Sequence, residues 1–392
     1  MKILIATESY YPNIDGGAVA QHNIALELSK REHEICIIAP GYSFKNKIEK
    51  ENGTTIYRTK AVKLPFYMAG RYHFSPFPTF TVSKILKKFK PDIVNSCSPY
   101  PVGVSAHICA RNQDIPIIGS IHLLPDNIIT PFLRLRHPEK IENFFWRYII
   151  NYFNRVDWAT IPTQTGAEIY KKHGLKTNIT PISNGLKTEI FKPENDGEYL
   201  REKYNLPKKN IVLCAGRINE EKNLDVLIKA IPQVVKEIDS HFLFVGEGGE
   251  YKQSLINLAS ELGVGKHTTF TNFLSWEDYP NIYAIADLFA MPSEAELQSI
   301  VTMEAVATGL PVVVVNKGAL PELASNNNGL LFEPKNHEQM AENIIKILSD
   351  EKLKRKMGKN SLELIKSHSI ESVAEQYEKI YEKTIEYYRN KK

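Results

Sequence analysis

The sequence predicts an α/β protein built from two domains in series, each a mostly parallel sheet flanked by helices. Three observations point there. The chain opens on a strand, a loop and a helix, short apolar runs alternate with helical segments throughout, and the same grammar restarts after a polar stretch at 187–209. A length of 392 residues agrees, since it is long for one globular core.

Ile3-Leu4-Ile5-Ala6 reads as a buried strand. The loop from Thr7 to Gly17 holds Pro12, Asn13, Asp15 and the Gly16-Gly17 pair. Val19, Ile24, Leu26 and Leu28 give the following helix an apolar face, and 35–39 is the second strand. Further strands of this half are expected at 92–95, 117–121 and 158–161. The polar stretch contains Pro193, Asn195, Asp196, Gly197 and Pro207. Beyond it, strands are expected at 211–215, 241–245, 268–270, 287–291, 311–315 and 330–332, with a helix at 224–235. A charged, tyrosine-rich helix covers 370–392. The domains are therefore 1–190, 191–369 and a terminal helix.

Composition narrows the function classes. The chain is 43% hydrophobic and 24% charged, and no apolar run approaches the roughly 18 residues needed to span a bilayer. The first apolar run meets Glu8 too soon to be a signal-peptide core. Cys36, Cys97, Cys109 and Cys214 show no CxxC spacing, so neither a disulfide framework nor a zinc site is expected, and a cytoplasmic location follows. Residues 1–190 carry 24 Lys+Arg against 15 Asp+Glu, a balance of +9, whereas the remainder carries 25 against 30, or −5. The basic half suits an anionic partner: a membrane, a nucleic acid or a phosphorylated substrate.

Several motifs could carry chemistry. Gly16-Gly17 lies between the first strand and helix, where backbone can approach an anion, although a flexible turn explains it equally. No GxGxxG fingerprint is present, which argues against NAD. Gly246-Glu247-Gly248-Gly249 reads as a strand-to-helix turn. Arg217 and Lys222 follow the strand 211–215 at its carboxyl end, where ligands bind in open α/β sheets; Glu220 and Glu221 between them leave a solvated charge cluster open. Downstream of a strand ending at Met291, Glu296 sits in a loop before a helix. Ile300, Met303, Glu304 and Ala307 share one face of that helix, so Glu304 is a carboxylate among apolar groups and needs a hydrogen-bonding partner, a ribose or an arginine. The N–H groups of Leu297, Gln298, Ser299 and Ile300 open the helix, an anion-binding arrangement.

Taken in order, these pieces resemble retaining glycosyltransferases of family 4. The set comprises Gly16-Gly17, the strand end Ile121-His122, Ser183-Asn184-Gly185, Gly216-Arg217 with Lys222, Glu296-x7-Glu304 and Gly309-x-Pro311-Val312-Val313. The resemblance implies the GT-B architecture: two Rossmann-like domains facing across a cleft, with the terminal helix crossing back to the first. It implies that Arg217 and Lys222 bind the donor diphosphate, that Glu304 holds the ribose, and that Glu296 and residues 297–300 meet the sugar and phosphate. It further implies that Gly17 approaches the phosphate and that His122 orients the donor sugar. A nucleotide-sugar, with UDP the expected base, is then the substrate; no cofactor or metal is required, because cations and helix dipoles take that part. No Asp-x-Asp candidate for a metal is present. Departures bear on specificity. Leu297-Gln298-Ser299 replaces the family's usual Gly-Phe-Gly, Glu32-His33 its Gly-His, and Asn272 a common glycine.

For the acceptor, two segments mix aromatics with cations. One is Lys63 to Lys90, with Phe66, Tyr67, Met68, Arg71, Tyr72, Phe74, Phe77, Phe80, Lys84, Lys87 and Lys88. The other is Phe132 to Arg155, with Arg134, Arg136, Lys140, Phe144, Phe145, Trp146, Arg147, Tyr148 and Phe153. Such surfaces suit an anionic bilayer interface, and equally a core with solvated cations around it. His122-Leu123-Leu124-Pro125-Asp126-Asn127 is similar to the His-x-x-Pro-Glu-Asn pattern of a subgroup linked to diacylglycerol glycosylation, which makes Asp126 and Asn127 acceptor candidates. The expected protein is a peripheral enzyme of the inner membrane face that glycosylates a lipid hydroxyl. A soluble sugar acceptor, a sugar-nucleotide epimerase, a non-catalytic nucleotide-sugar binder and a nucleic-acid binder are the competing readings.

Overall fold

The computed structural model describes residues 1–13, 15–63, 73–124 and 138–391. Two compact units divide them. The first joins Met1–Gly185 to Ile370–Lys392, and the second is Leu186–Ser369. The division thus falls ahead of the 190/191 boundary expected from the polar stretch, at Gly185, whose positive φ of 76° turns the chain.

In unit 1 the strands are β1 (Lys2–Ala6), β2 (Glu34–Pro40), β3 (Lys47–Glu51), β4 (Thr54–Thr59), a two-stranded ribbon of β5 (Val62–Lys63) and β6 (His73–Phe74), β7 (Ile93–Ser96), β8 (Ile117–Ser120), β9 (Trp158–Ile161) and β10 (Ile179–Pro181). The main sheet runs β10-β9-β8-β7-β1-β2-β4-β3. All its pairs are parallel except the edge pair β3–β4. Runs such as Ile3–Ala6 are buried because helices cover both faces, which is why they are continuously apolar and not alternating.

Helix α1 (Gly16–Lys30) buries Ala18, Gln21, Ile24, Ala25 and Leu28, whereas Leu26 is half-buried and Glu27 turns inward to meet Lys30 and Arg31. Helices α2 (Thr79–Phe89), α3 (Pro101–Arg111) and α4 (Pro138–Phe153) follow in this unit. Strands β3, β4 and β10 were not expected from the sequence: β3 is an exposed edge of charged residues, and β10 is three residues ending in proline.

Unit 2 contains β11 (Asn210–Ala215), β12 (Ser240–Val245), β13 (Thr268–Phe270), β14 (Leu288–Met291), β15 (Val312–Val315) and β16 (Gly329–Phe332), ordered β13-β12-β11-β14-β15-β16 and parallel throughout. That is the doubly wound order, with its reversal between β11 and β14. Helix α5 (Ile300–Ala307) joins β14 to β15.

Helix α6 (Ile370–Asn390) returns to unit 1. Val373, Ala374, Tyr377 and Tyr381 are buried with Ile3, Ile5 and Ile24 of β1 and α1. Asn95 donates to the Tyr381 hydroxyl at 2.9 Å, and Arg31 pairs with Glu375 and Glu378 at 3.1 and 3.2 Å. The i, i+4 tyrosine spacing thus makes a sheet-packing face. No helix among the described residues is long and apolar enough to cross a membrane.

Candidate active site

Unit 2 assembles its polar residues at the topological switch point. The loop after β11 carries Gly216 and Arg217, and the loop after β14 carries Glu296; both leave the carboxyl edge of the sheet where its winding reverses. Glycine is required there. A Cβ on Gly246, after β12, would stand 1.8 Å from the Gly216 carbonyl oxygen. The two loops are laced together, Gly216 N–H to Val245 at 2.9 Å and Ile218 N–H to Glu247 at 2.9 Å. This stitching fixes the base of the segment that presents Arg217 and Lys222.

The charges are already engaged with one another. Lys222 forms an ion pair with Glu296, at side-chain exposures of 14% and 10%. Arg217, far more open, donates to Glu221 at 2.8 Å, and Asn219 donates to the same carboxylate oxygen at 3.0 Å. The solvated charge cluster that Glu220 and Glu221 left open is in part what the structure shows, with Glu221 paired to an exposed Arg217. Leu297, Gln298 and Ser299 are buried, and Ser299 occupies the cap position of α5, its hydroxyl accepting from Thr302 at 2.8 Å.

Glu304 is buried on α5, and among the described residues its partners are two tyrosines and not an arginine. The Tyr279 and Tyr283 hydroxyl oxygens both lie within hydrogen-bonding distance of its Oε2, at 2.7 and 2.5 Å. Burial pushes its carboxyl up to about 7, against the pull of the two hydroxyls. Sequence reading missed this pair. Its signal was an i, i+4 tyrosine spacing ahead of the strand at 288, which is read more readily as ordinary core.

In unit 1, Gly16 and Gly17 are the first residues of α1, capped by Asp15, whose Oδ1 accepts from Ala18 N–H at 3.0 Å. Asp15 is held in turn by the Ser9 hydroxyl. A Cβ on Gly17 would meet Asp15 Oδ1 at 3.4 Å and His122 Cβ at 3.6 Å, so the glycine pair and His122 belong to one site. His122 Nδ1 contacts Asn184 Oδ1 at 3.0 Å and its Nε2 contacts the Gln21 amide nitrogen at 2.5 Å. An amide nitrogen can only donate and an amide oxygen only accept, so the network assigns the proton to Nδ1. Burial pushes the imidazole down to about 4, with Asn184 and Asp15 opposing, so the ring is neutral at physiological pH. Both ring nitrogens are thus spent inside unit 1. Gln21, a polar residue on the buried face of α1, was not singled out from the sequence.

The acceptor candidates Asp126 and Asn127 lie outside the described residues, as do Phe66, Tyr67, Met68, Arg71, Tyr72, Phe132, Arg134 and Arg136. The remaining aromatics range from core to fully exposed, with Phe74 and Phe145 half-buried. Trp146 and Phe153 are core, Trp146 stacking on His173 at 3.7 Å. Phe77, Phe80 and Phe144 stand out at 91%, 72% and 65% exposure. Phe77 and Phe80 line a groove of about 540 Å³ with Val104, Ile108 and Tyr148, and Lys84 Nζ lies 4.3 Å over the Phe80 ring.

The glycosyltransferase family 4 model matches residues 14–190, and the model for glycosyl transferases group 1 matches 196–364. Mycobacterium tuberculosis GDP-mannose-dependent alpha-(1-6)-phosphatidylinositol monomannoside mannosyltransferase is 30% identical over 48% of this chain, a match that spans about half, 52%, of that enzyme's length. Alpha-monoglucosyldiacylglycerol synthase from Streptococcus pneumoniae is 25% identical over 83% of this chain and 74% of its own. Among solved structures, Anabaena HepE in complex with UDP-glucose superposes with a TM-score of 0.76 at 19% identity, over 98% of this chain and 100% of that one. With consecutive matches to both halves and two doubly wound units in the expected order, the chain belongs to the GT-B glycosyltransferases of the family 4 type.

Proposed function

We propose that this enzyme moves a hexose from a nucleotide-sugar, UDP-linked by expectation, to a lipid hydroxyl such as that of diacylglycerol, with retention at the anomeric carbon and without a metal. The observation that carries the donor half is the convergence of Arg217, Lys222 and Glu296 at the switch point of unit 2. In this reading Arg217 and Lys222 receive the diphosphate and stabilise the charge that grows on it as the C1–O bond breaks. The acceptor oxygen bonds to C1 on the same face, and its proton passes to the departing diphosphate, so no protein base is needed. Glu296, released from Lys222, accepts from the sugar hydroxyls, and Glu304 accepts from the ribose. Residues 297–300 offer backbone N–H groups, while Gly16 and Gly17 give close backbone approach to the phosphate. His122, neutral and with both ring nitrogens occupied, orients the sugar through its ring face.

The lipid half rests on the exposed Phe77, Phe80 and Phe144 beside Lys84, Lys87, Lys88, Lys140 and Arg147, all exposed. Helix α2 carries three of these cations and no acidic residue. Apolar side chains that insert and cations that attract anionic headgroups together form an interfacial surface. Two relatives whose names contain a glycolipid, phosphatidylinositol monomannoside and monoglucosyldiacylglycerol, support an acceptor of the lipid class.

The deciding experiment incubates the protein with labelled UDP-glucose, UDP-galactose or GDP-mannose and anionic vesicles containing diacylglycerol. Thermal stabilisation by each sugar nucleotide is read alongside. One donor should stabilise the protein and deliver its label to the lipid fraction. Label recovered only on added soluble sugars would establish the soluble-acceptor reading instead, and stabilisation without transfer would establish a non-catalytic binder.

A further inference from the structure

Glu304 Oε2 and the hydroxyl oxygens of Tyr279 and Tyr283 form a triangle with sides of 2.5, 2.7 and 3.0 Å, all hydrogen-bonding distances. Each side needs one proton to be a hydrogen bond. The two tyrosines own two. When Glu304 is ionised both hydroxyl protons turn to the carboxylate, and the two tyrosine oxygens face each other at 3.0 Å with none between them. A proton on Oε2 supplies the third and completes the ring, each oxygen then donating once and accepting once. The surroundings favour that form. Phe191 packs edge-on to both tyrosines, at 6.1 and 5.7 Å, and Tyr283 is fully buried. Tyr279 and Tyr283 are the titratable groups that bear on Glu304. Among the described residues no lysine, arginine, histidine or second carboxylate does so, and burial is what raises its carboxyl.

We propose that Glu304 carries a proton in the ligand-free protein near neutral pH and releases it to solvent when a nucleotide ribose docks. The carboxyl O–H bond breaks, the proton passes to buffer, and a ribose hydroxyl becomes the third donor, now to a carboxylate. Donor binding is thereby coupled to proton release and tightens as pH rises through neutrality. This inference rests on the reading of Glu304 as the ribose-binding carboxylate.

Calorimetry of UDP-glucose and GDP-mannose binding at pH 6.5, in phosphate and in Tris, reads the proton count from the difference in apparent enthalpy. The phosphates of these diesters do not titrate near neutrality. The expected release is about 0.8 of a proton per nucleotide, the protonated fraction half a pH unit below the midpoint. Glu304→Gln should bind more weakly than the parent and with no release. Tyr283→Phe removes a hydroxyl that stabilises the carboxylate, so release should persist to higher pH than in the parent, a shift that a merely loosened site would not produce. The 2′- and 3′-deoxy forms of the bound donor test the underlying reading. Weaker binding of a deoxy form with zero proton release overturns the coupling and leaves the ribose role standing. Equal binding of the deoxy forms overturns the ribose role itself, and failure of both donors to bind overturns both.

Discussion

The two units present their polar residues in opposite electrical states. In unit 2 the functional side chains are charged and paired, Lys222 with Glu296 and Arg217 with Glu221. In unit 1 the described candidate site carries no cation: a glycine pair opens α1 behind the Asp15 cap, and the two nitrogens of a neutral imidazole are held by Asn184 and Gln21. On the proposed donor site, a dianionic diphosphate would displace carboxylates from Lys222 and Arg217, an exchange of one charged partner for another. Unit 1 has no such exchange to offer, and its contribution is shape and fixed dipoles. Under the proposed function, the contrast gives ligand affinity to unit 2 and alignment to unit 1.

Lys222→Ala should break the comparison most severely. It strands Glu296 as a poorly solvated charge, so the urea midpoint should fall by the equivalent of about 3 kcal/mol, and transfer should drop by at least about 100-fold. Turnover within a few-fold of the parent would remove Lys222 from the diphosphate site. Arg217→Ala separates affinity from folding, because its pair with Glu221 is exposed. Stability should move by less than about 1 kcal/mol while transfer falls by about 100-fold, and equal losses in both would show a structural role.

Replacing Phe77 and Phe80 together by glutamate probes unit 1. Vesicle co-sedimentation should fall by about tenfold with donor-induced thermal stabilisation unchanged; undiminished sedimentation would place the membrane contact elsewhere. Gln21→Ala should be milder, at about 1 kcal/mol of stability, with kcat reduced more than KM if His122 aligns the bound sugar. The smallest effect is expected from Glu32→Gly. Glu32 has a φ of 65°, and relieving that conformation should raise the melting temperature by the equivalent of at most about 1 kcal/mol.

Much of this was legible from residues alone, for identifiable reasons. Buried parallel strands such as Ile3–Ala6 and Val312–Val315 are short, apolar and bounded by turn residues, so they stand out in the sequence. The exposed strand Lys47–Glu51 did not, because an edge strand has almost no apolar side to show. Arg217, Lys222 and Glu296 could be singled out as candidates because they follow strand ends, and Glu304 because a carboxylate stands on an apolar helix face. What holds them was not visible. Glu221, Tyr279 and Tyr283 act through contacts that only folding creates, and each looks ordinary in the sequence. Gln21 is of the same kind, whereas Asn184 stood out within Ser183-Asn184-Gly185 but not as the partner of an imidazole.

The return of α6 to unit 1 has a consequence for how the chain acquires its structure. Unit 1 is discontinuous, with the whole of unit 2 spliced between Gly185 and Ile370. A ribosome releasing this chain delivers every strand of the first sheet long before Val373, Tyr377 and Tyr381 emerge to cover it. Unit 2, continuous in sequence, can close as soon as its own residues are out, whereas unit 1 waits with an apolar face uncovered. The half made first is thus completed last, and the interval between is when chaperones or a nearby bilayer would find it.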